Sequence, residues 1–391
     1  EPDEVIHNYV EECLNCHKIA DKNTQKIVFT KRILEIPEQI KISIQEYHIH
    51  AYECDCSRTT QAEEPTLEGT SLGPNFLTFI TSARSHTGGS FENLSRMIED
   101  ISGIKPSQTS LNRALSMVST SLKPVAEKIA VEVMNSDYVN IDETGHKLVL
   151  EGKRSQKSQQ GSKGSNKIWV WVFATPNAAY YHVDMTRSKE AIKTALAFRE
   201  QDKPPPISVT DAYPAYLNMF ETMQFWWAHL LRDSKEVEDT CFAGKILHDK
   251  LVDMFQRIKA LKKNLQEKNG TIRGISDKVY NKALSDIKEI AGGRTCKNVI
   301  TIQNHLNRRA AHYITCLRHP QVPMENGHAE RLLKSVIVHR SNGKPLRSER
   351  AMEQYGILLT VLTTWKLRGL PVGSTLRDWI GKQISQAKLL D

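Results

Sequence analysis

The chain has 391 residues, of which 39% are hydrophobic and 25% charged; this excludes a fibrous or disordered polypeptide and predicts two or three domains rather than one core. The 53 Lys and Arg against 45 Asp and Glu leave a net charge of +8 and a pI near 9.0, a balance that favours a polyanionic partner. No apolar run reaches the roughly 18 to 20 residues that span a bilayer and the start lacks a signal-peptide pattern, so the expectation is a cytoplasmic protein with no membrane partner.

From the N-terminus, Cys13, Cys16, Cys54 and Cys56 cluster early, whereas Cys241, Cys296 and Cys316 stand apart. In a reducing compartment, paired cysteines point to a metal sooner than to disulfides. Between the pairs, IVFTKRILEIP and KISIQEYHIHAYEC alternate apolar and polar residues on either side of Pro37, which predicts strands. Residues 57–74 carry polar residues, Gly and Pro without a period and read as a linker. From Phe76 to about Met134 the spacing is helical. Within it, IEDISGIKPSQTSLNRALSMV holds a helix end, Gly103, a turn and a second amphipathic segment, which fits a helix-turn-helix and equally the plain packing of two helices.

Strand character returns at YVNIDETGHKLVL, followed by RSQKSQQGSKGSNK as a long hairpin tip and then by IWVWVFAT. AAYYHVDMT is a third strand, SKEAIKTALAFRE a helix, and ISVTDAYPAYL a fourth strand entering a turn. Beyond it the chain is helical. Leu247, Leu251, Met254, Phe255, Ile258, Leu261 and Leu265 form one stripe, whose simplest reading is core packing. Further helices are expected at about 277–291 and 300–317, and TVLTTWKLRGL reads as a buried terminal helix.

Three acids stand out. Asp142 and Asp211 each follow a run of apolar β-formers, where the strand is expected to give way to a turn; either alone is most simply a turn or capping residue. Glu330 falls in the first turns of a helix opened by Asn326 and Gly327. Across residues 326–350 the six cations Arg331, Lys334, Arg340, Lys344, Arg347 and Arg350 face only Glu330 and Glu349, so an acid is set in a phosphate-attracting surface. Three carboxylates fit a pair of hard divalent ions, Mg²⁺ or Mn²⁺, which support in-line phosphoryl displacement.

At these residues the sequence resembles the transposases of insertion-sequence family sixty-six, DDE enzymes, over nearly its whole length. The resemblance rests on DETGHKL, WVWVF, SVTDAYPAY, WWAHLLRD and ENGHAERLLKSVIVHRSNGK. It implies an α/β fold with an RNase H-like catalytic core and a helical insertion between the second Asp and the final Glu, preceded by a small zinc-knuckle β region and a helical domain. The division that follows is 1–58 for the β region, 59–75 linker, 76–134 helical and of helix-turn-helix type, 135–235 first part of the core, 236–318 insertion, and 319–391 the Glu helix and C-terminal helices.

The resemblance further implies Asp142, Asp211 and Glu330 as catalytic ligands of two Mg²⁺ (or Mn²⁺) ions, and His229 with Arg232 near the scissile phosphate or, for His229, packed beneath the insertion. Arg331, Lys334, Arg340, Lys344 and Arg347 are the expected DNA contacts. Cys13, Cys16, Cys54 and Cys56 match the family's zinc region, giving a structural Zn²⁺. The partners implied are double-stranded DNA, both transposon ends and target, and a second copy in a homodimer or higher multimer, with a nucleoid-associated location. Two departures stand in the sequence. Cys54-Asp55-Cys56 has one residue between thiols where two are usual, which leaves room for His17, His48 or His50 as a ligand, and Asn326-Gly327 replaces two asparagines. A DNA-binding descendant that no longer cuts, or a related RNase H-like nuclease, would share most of these features.

Overall fold

The computed structural model describes residues 5–32, 42–56, 58–149, 166–268, 274–342, 345–384 and 388–390. The expected hairpin tip at 150–165 and Lys344 therefore lie outside the described residues. Among the described residues of the N-terminal part, the strands are β1 (Ala51–Glu53) and β2 (Thr59–Gln61). The strand pattern of described residues 27–32 and 42–50 is not realised: Val28, Phe29 and Ile44 are exposed, and a strand without a neighbour leaves its backbone groups unpaired.

Three helices follow: α1 (Pro74–Thr87), α2 (Phe91–Ser102) and α3 (Gln108–Met134). Gly103 ends α2 in the left-handed conformation (φ 72°), where a Cβ would be strained, and Ser107 caps α3 by accepting from the Ser110 N–H. These two residues make the tight turn anticipated from the sequence.

The central sheet is built from β3 (Tyr138–Leu148), β4 (Asn166–Ala174) and β5 (Ala179–Asp184). After α4 (Lys189–Leu196) come β6 (Ile207–Thr210) and β7 (Met223–Phe225). The order is β5-β4-β3-β6-β7, antiparallel from β5 to β3 and parallel from β3 to β7. β7 is an addition to the four strands read from sequence; at three residues it is too short to show alternation.

Strand alternation divides the core between the two sheet faces. Trp171, Phe173, Val139 and Ile141 join the larger cluster with the buried faces of α3 and α4, whereas Val170, Val172 and Ala174 pack on the opposite side. There they meet Ala329, Leu333 and Val336 of α10 (Gly327–Asn342), which is reached through α5 (Trp227–Glu238), α6 (Phe242–Lys268), α7 (Asp277–Ala291), α8 (Ile300–Arg309) and α9 (Thr315–Arg318).

The stripe on α6 is core, with Leu247, Leu251, Met254 and Ile258 buried. The helix expected over 300–317 is broken at Arg309 by a 3₁₀ turn, Ala310–Tyr313, which brings the Tyr313 carbonyl to the Trp227 indole N–H at 2.8 Å. Cys241 and Cys296, apart in sequence by 55 residues, are disulfide-bonded between the ends of these helices. Their separation along the chain gave no sign of this pairing, and Cys316 remains a free, buried thiol.

TVLTTWKLRGL lies in α11 (Glu349–Leu367) and its exit, but the helix is not terminal: α12 (Val372–Ile384) and β8 (Lys388–Leu390) follow, and β8 closes a small antiparallel sheet of order β1-β2-β8. No described helix is long and apolar enough to cross a membrane.

Candidate functional site

Parallel pairing sets Asn140 opposite Val209, and continuing that register by two residues puts Asp211 beside Asp142. Asp211 is the first residue past β6, at the strand end expected for it. Asp142, by contrast, lies inside β3, which runs on to Leu148 because β4 pairs with it throughout. Each carboxylate also fixes local backbone: Asp142 Oδ1 accepts from the Glu143 N–H at 2.9 Å, and Asp211 Oδ1 from the Tyr213 N–H at 3.1 Å.

Glu330 stands in the first turn of α10 and is exposed. The helix start is pinned to β3 by Asn326, which is buried: its Nδ2 donates to the Ile141 carbonyl at 2.7 Å, and its Oδ1 accepts from Asn140 Nδ2 at 3.0 Å. Asn326 thereby satisfies polar groups on β3 and fixes where Glu330 emerges. Sequence reading took it for a helix opener only.

The electrostatics follow from this placement. Burial, together with the like charges of Glu143, Asp211 and Glu330, pushes the Asp142 carboxyl up to about 7, although the Glu143 N–H works the other way. A half-buried acid surrounded by acids has a chemical need for a cation. The donors are hard oxygens, which suit Mg²⁺ or Mn²⁺. Among the described residues, however, no three His, Cys, Asp or Glu side chains are gathered at the spacing of a ready-made metal cage.

Glu143, missed by sequence reading, is the acid on the other sheet face. Its side chain is 1% exposed and holds Arg187, whose Nε donates at 2.6 Å, and it accepts from the Tyr216 hydroxyl. Burial lifts the Glu143 carboxyl, and those two partners oppose the lift. Arg187 in turn stacks on Tyr213, 3.8 Å from the ring centre, and the Tyr213 hydroxyl donates to the Arg187 carbonyl at 3.0 Å. This network ties the segment after Asp211 to the strand that holds Asp142.

His229 and Arg232 occupy the first turns of α5 and bond to each other, at 2.6 Å between Nη2 and Nδ1, with His229 against Trp226. The Trp226 N–H donates to the Thr210 carbonyl at 2.9 Å, so α5 starts at the end of β6 where Asp211 stands. On α10, Arg331 and Lys334 are exposed, as is Arg347 beyond it. Arg340 instead braces the helix against β3, donating to the Gly145 carbonyl at 2.8 Å.

The cysteine pairs each form a turn. The Cys16 and Asn15 amides hold the Cys13 thiol below its ordinary pKa, and the Cys56 amide does the same for Cys54. The two pairs are not drawn into one cluster among the described residues.

Residues 69–354 match the model of the Transposase IS66 family. The chain belongs to that family. The matched stretch holds all three acids and leaves the four early cysteines outside. The protein y4hP of Sinorhizobium fredii (strain NBRC 101917 / NGR234), described as uncharacterized, is 23% identical over 394 aligned positions, covering 90% of this chain and 67% of that protein.

Proposed function

We propose that this transposase is a DDE enzyme with an RNase H-like core, which cuts DNA at the ends of an insertion sequence and joins them to a target. The observation that carries the reading is the juxtaposition of Asp142, Asp211 and Glu330 around β3, β6 and α10, close enough that each raises the proton affinity of Asp142. A sheet antiparallel through β3 and parallel beyond it, with Asp142 on β3 and Asp211 at the end of β6, supports the RNase H-like assignment.

Two Mg²⁺ or Mn²⁺ ions, held by Asp142, Asp211 and Glu330, would supply charge to the attacking and leaving oxygens of the displacement. The chain's own contributions are these. Asp142, whose carboxyl is pushed up to about 7, would hold a cation in its deprotonated form. Asn326 and the Glu143–Arg187–Tyr216 network keep the acid-bearing segments in register. Arg331 and Lys334, exposed beside Glu330, attract the phosphodiester backbone, and His229 with Arg232 contact it from the start of α5.

The test is strand cleavage of DNA carrying the element's ends, with Mg²⁺. Wild-type protein should nick and join it, while Asp142→Asn, Asp211→Asn and Glu330→Gln should each lose about 10³-fold or more in rate yet still bind. Unchanged product from the Asp142→Asn variant would reject the reading. The alternative, a DNA-binding protein that no longer cuts, predicts binding without product even from the wild type. We also propose a structural Zn²⁺ on Cys13, Cys16, Cys54 and Cys56, supported by amide-assisted thiols in both turns. Metal analysis of purified protein should find one zinc per chain; none, with all four thiols titratable, removes it.

A further inference from the structure

A cleft of about 910 Å³ opens between α1, the start of α3, α10 and α11. α10 turns Ala329, Leu333 and Val336 toward the sheet and Arg331, Leu332, Ser335 and His339 toward this cleft. Leu332, Leu358 and Leu362 contribute an apolar part of the wall. The cations Arg84, Arg331, Arg347 and Lys366 line it, and no Asp or Glu does among the described residues.

Two details show that the cleft suits an anion with a flat apolar part. Arg84 is half-buried with no carboxylate partner among the described residues; it donates to the Gly89 carbonyl and stacks 4.1 Å over the Phe91 ring, which also lines the cleft. A desolvated guanidinium without a counter-charge is costly, and an incoming phosphate would offset that cost. The Ser82 hydroxyl, on the same wall, is buried without a hydrogen-bond partner.

We propose that this cleft receives an unpaired nucleotide of the DNA strand handled at Asp142, Asp211 and Glu330, its base against the leucines and aromatics and its phosphate on Arg331, Arg84 and Lys366. The inference rests on the DNA-processing reading above. The volume lies at the upper end of what holds one small ligand, so one or two nucleotides enter and a duplex does not. Base stacking on such a wall and backbone attraction to cations reinforce each other and are indifferent to sequence.

The experiment measures binding of the full chain, without divalent cation, to a fluorescein-labelled blunt duplex and to the same duplex bearing a three-nucleotide single-stranded 3′ extension. The wild type should favour the extended DNA by about tenfold. Ser335→Glu and Lys366→Glu, both at exposed positions, should remove most of that preference while leaving blunt-duplex affinity within about twofold. No preference in the wild type, or a preference that survives both substitutions, would overturn the proposal. So would variants that keep the preference but turn a dimer into a monomer in sedimentation, since the cleft would then seat a second copy. Asp142→Asn should retain the preference: if, on addition of Mg²⁺, that variant still cut DNA, the catalytic reading would fall while the cleft stood.

Discussion

Asp142 and Glu143 are consecutive in β3 and live in different surroundings, because a strand turns successive side chains to opposite faces. Glu143 pairs with Arg187 and accepts from the Tyr216 hydroxyl, whereas Asp142 bears the like charges of Glu143, Asp211 and Glu330. With its folded pKa at about 7 against an ordinary value of 3.8, Asp142 keeps its proton in the folded protein where the unfolded chain has lost it. Its contribution to stability is therefore full below about pH 4, falls as pH rises, and is gone above about 7. Asp142→Asn should accordingly melt higher than the wild type at pH 8 without divalent cation, by about 2 °C or more, and the gap should close by pH 4.5. Mg²⁺ at pH 8 should raise the wild-type melting temperature and not that of the variant. A gap of equal size at both pH values would contradict the assignment of the shift to this residue. The role of Glu143 was missed because its partners lie 44 and 73 residues away; the signal was there, since two adjacent acids in an alternating strand cannot both face one side.

At the scale of elements, both edges of the central sheet are closed by side chains from helices that join it late in the sequence. On β5 the Tyr181 and Ala179 N–H groups donate to the hydroxyls of Thr360 and Thr364 of α11, at 2.9 and 3.0 Å. α11 comes this close because residue 356 is Gly: a Cβ there would sit 3.1 Å from the Tyr181 carbonyl oxygen. On β7, Gln224 accepts from the Cys316 N–H at 2.8 Å, and Thr315 donates to the Met223 carbonyl. These contacts remove the open edges at which other chains would pair. Replacing Thr360 and Thr364 together by Val should cost about 2 to 4 kcal/mol in urea unfolding, because buried N–H groups lose their acceptors; a loss below about 0.5 kcal/mol would show that the edge finds other partners. The strands β3 to β6, the turn at Gly103 and the α6 stripe were legible because each repeats a period locally. β7, the break at Arg309 and the Cys241–Cys296 bond were not, since each is decided by tertiary neighbours. The alternating stretches on either side of Pro37 show the converse: in the described residues 27–32 and 42–50 the period is present, but none of them joins a strand.

Across the whole molecule, residues 142, 211 and 330 are brought to one region by three separate devices: the parallel register of β3 and β6, the α5–α9 segment that returns the chain to the sheet, and Asn326, which locks α10 to β3. Sequence context singled out the acids; it offered no measure of how tightly they are gathered or of the cleft assembled from α1, α3, α10 and α11. The basic excess gains meaning in the same way, since Arg331, Arg347 and Lys366 are distant in sequence and share one cavity wall. Cation binding tests the central claim most directly. Calorimetric titration of the full chain with Mn²⁺ at pH 8 should show binding that Asp142→Asn and Asp211→Asn each weaken at least about tenfold, with the folded circular-dichroism spectrum retained. Wild-type protein that takes up no Mn²⁺ in the presence of DNA, or variants that bind it as the wild type does, would contradict the account.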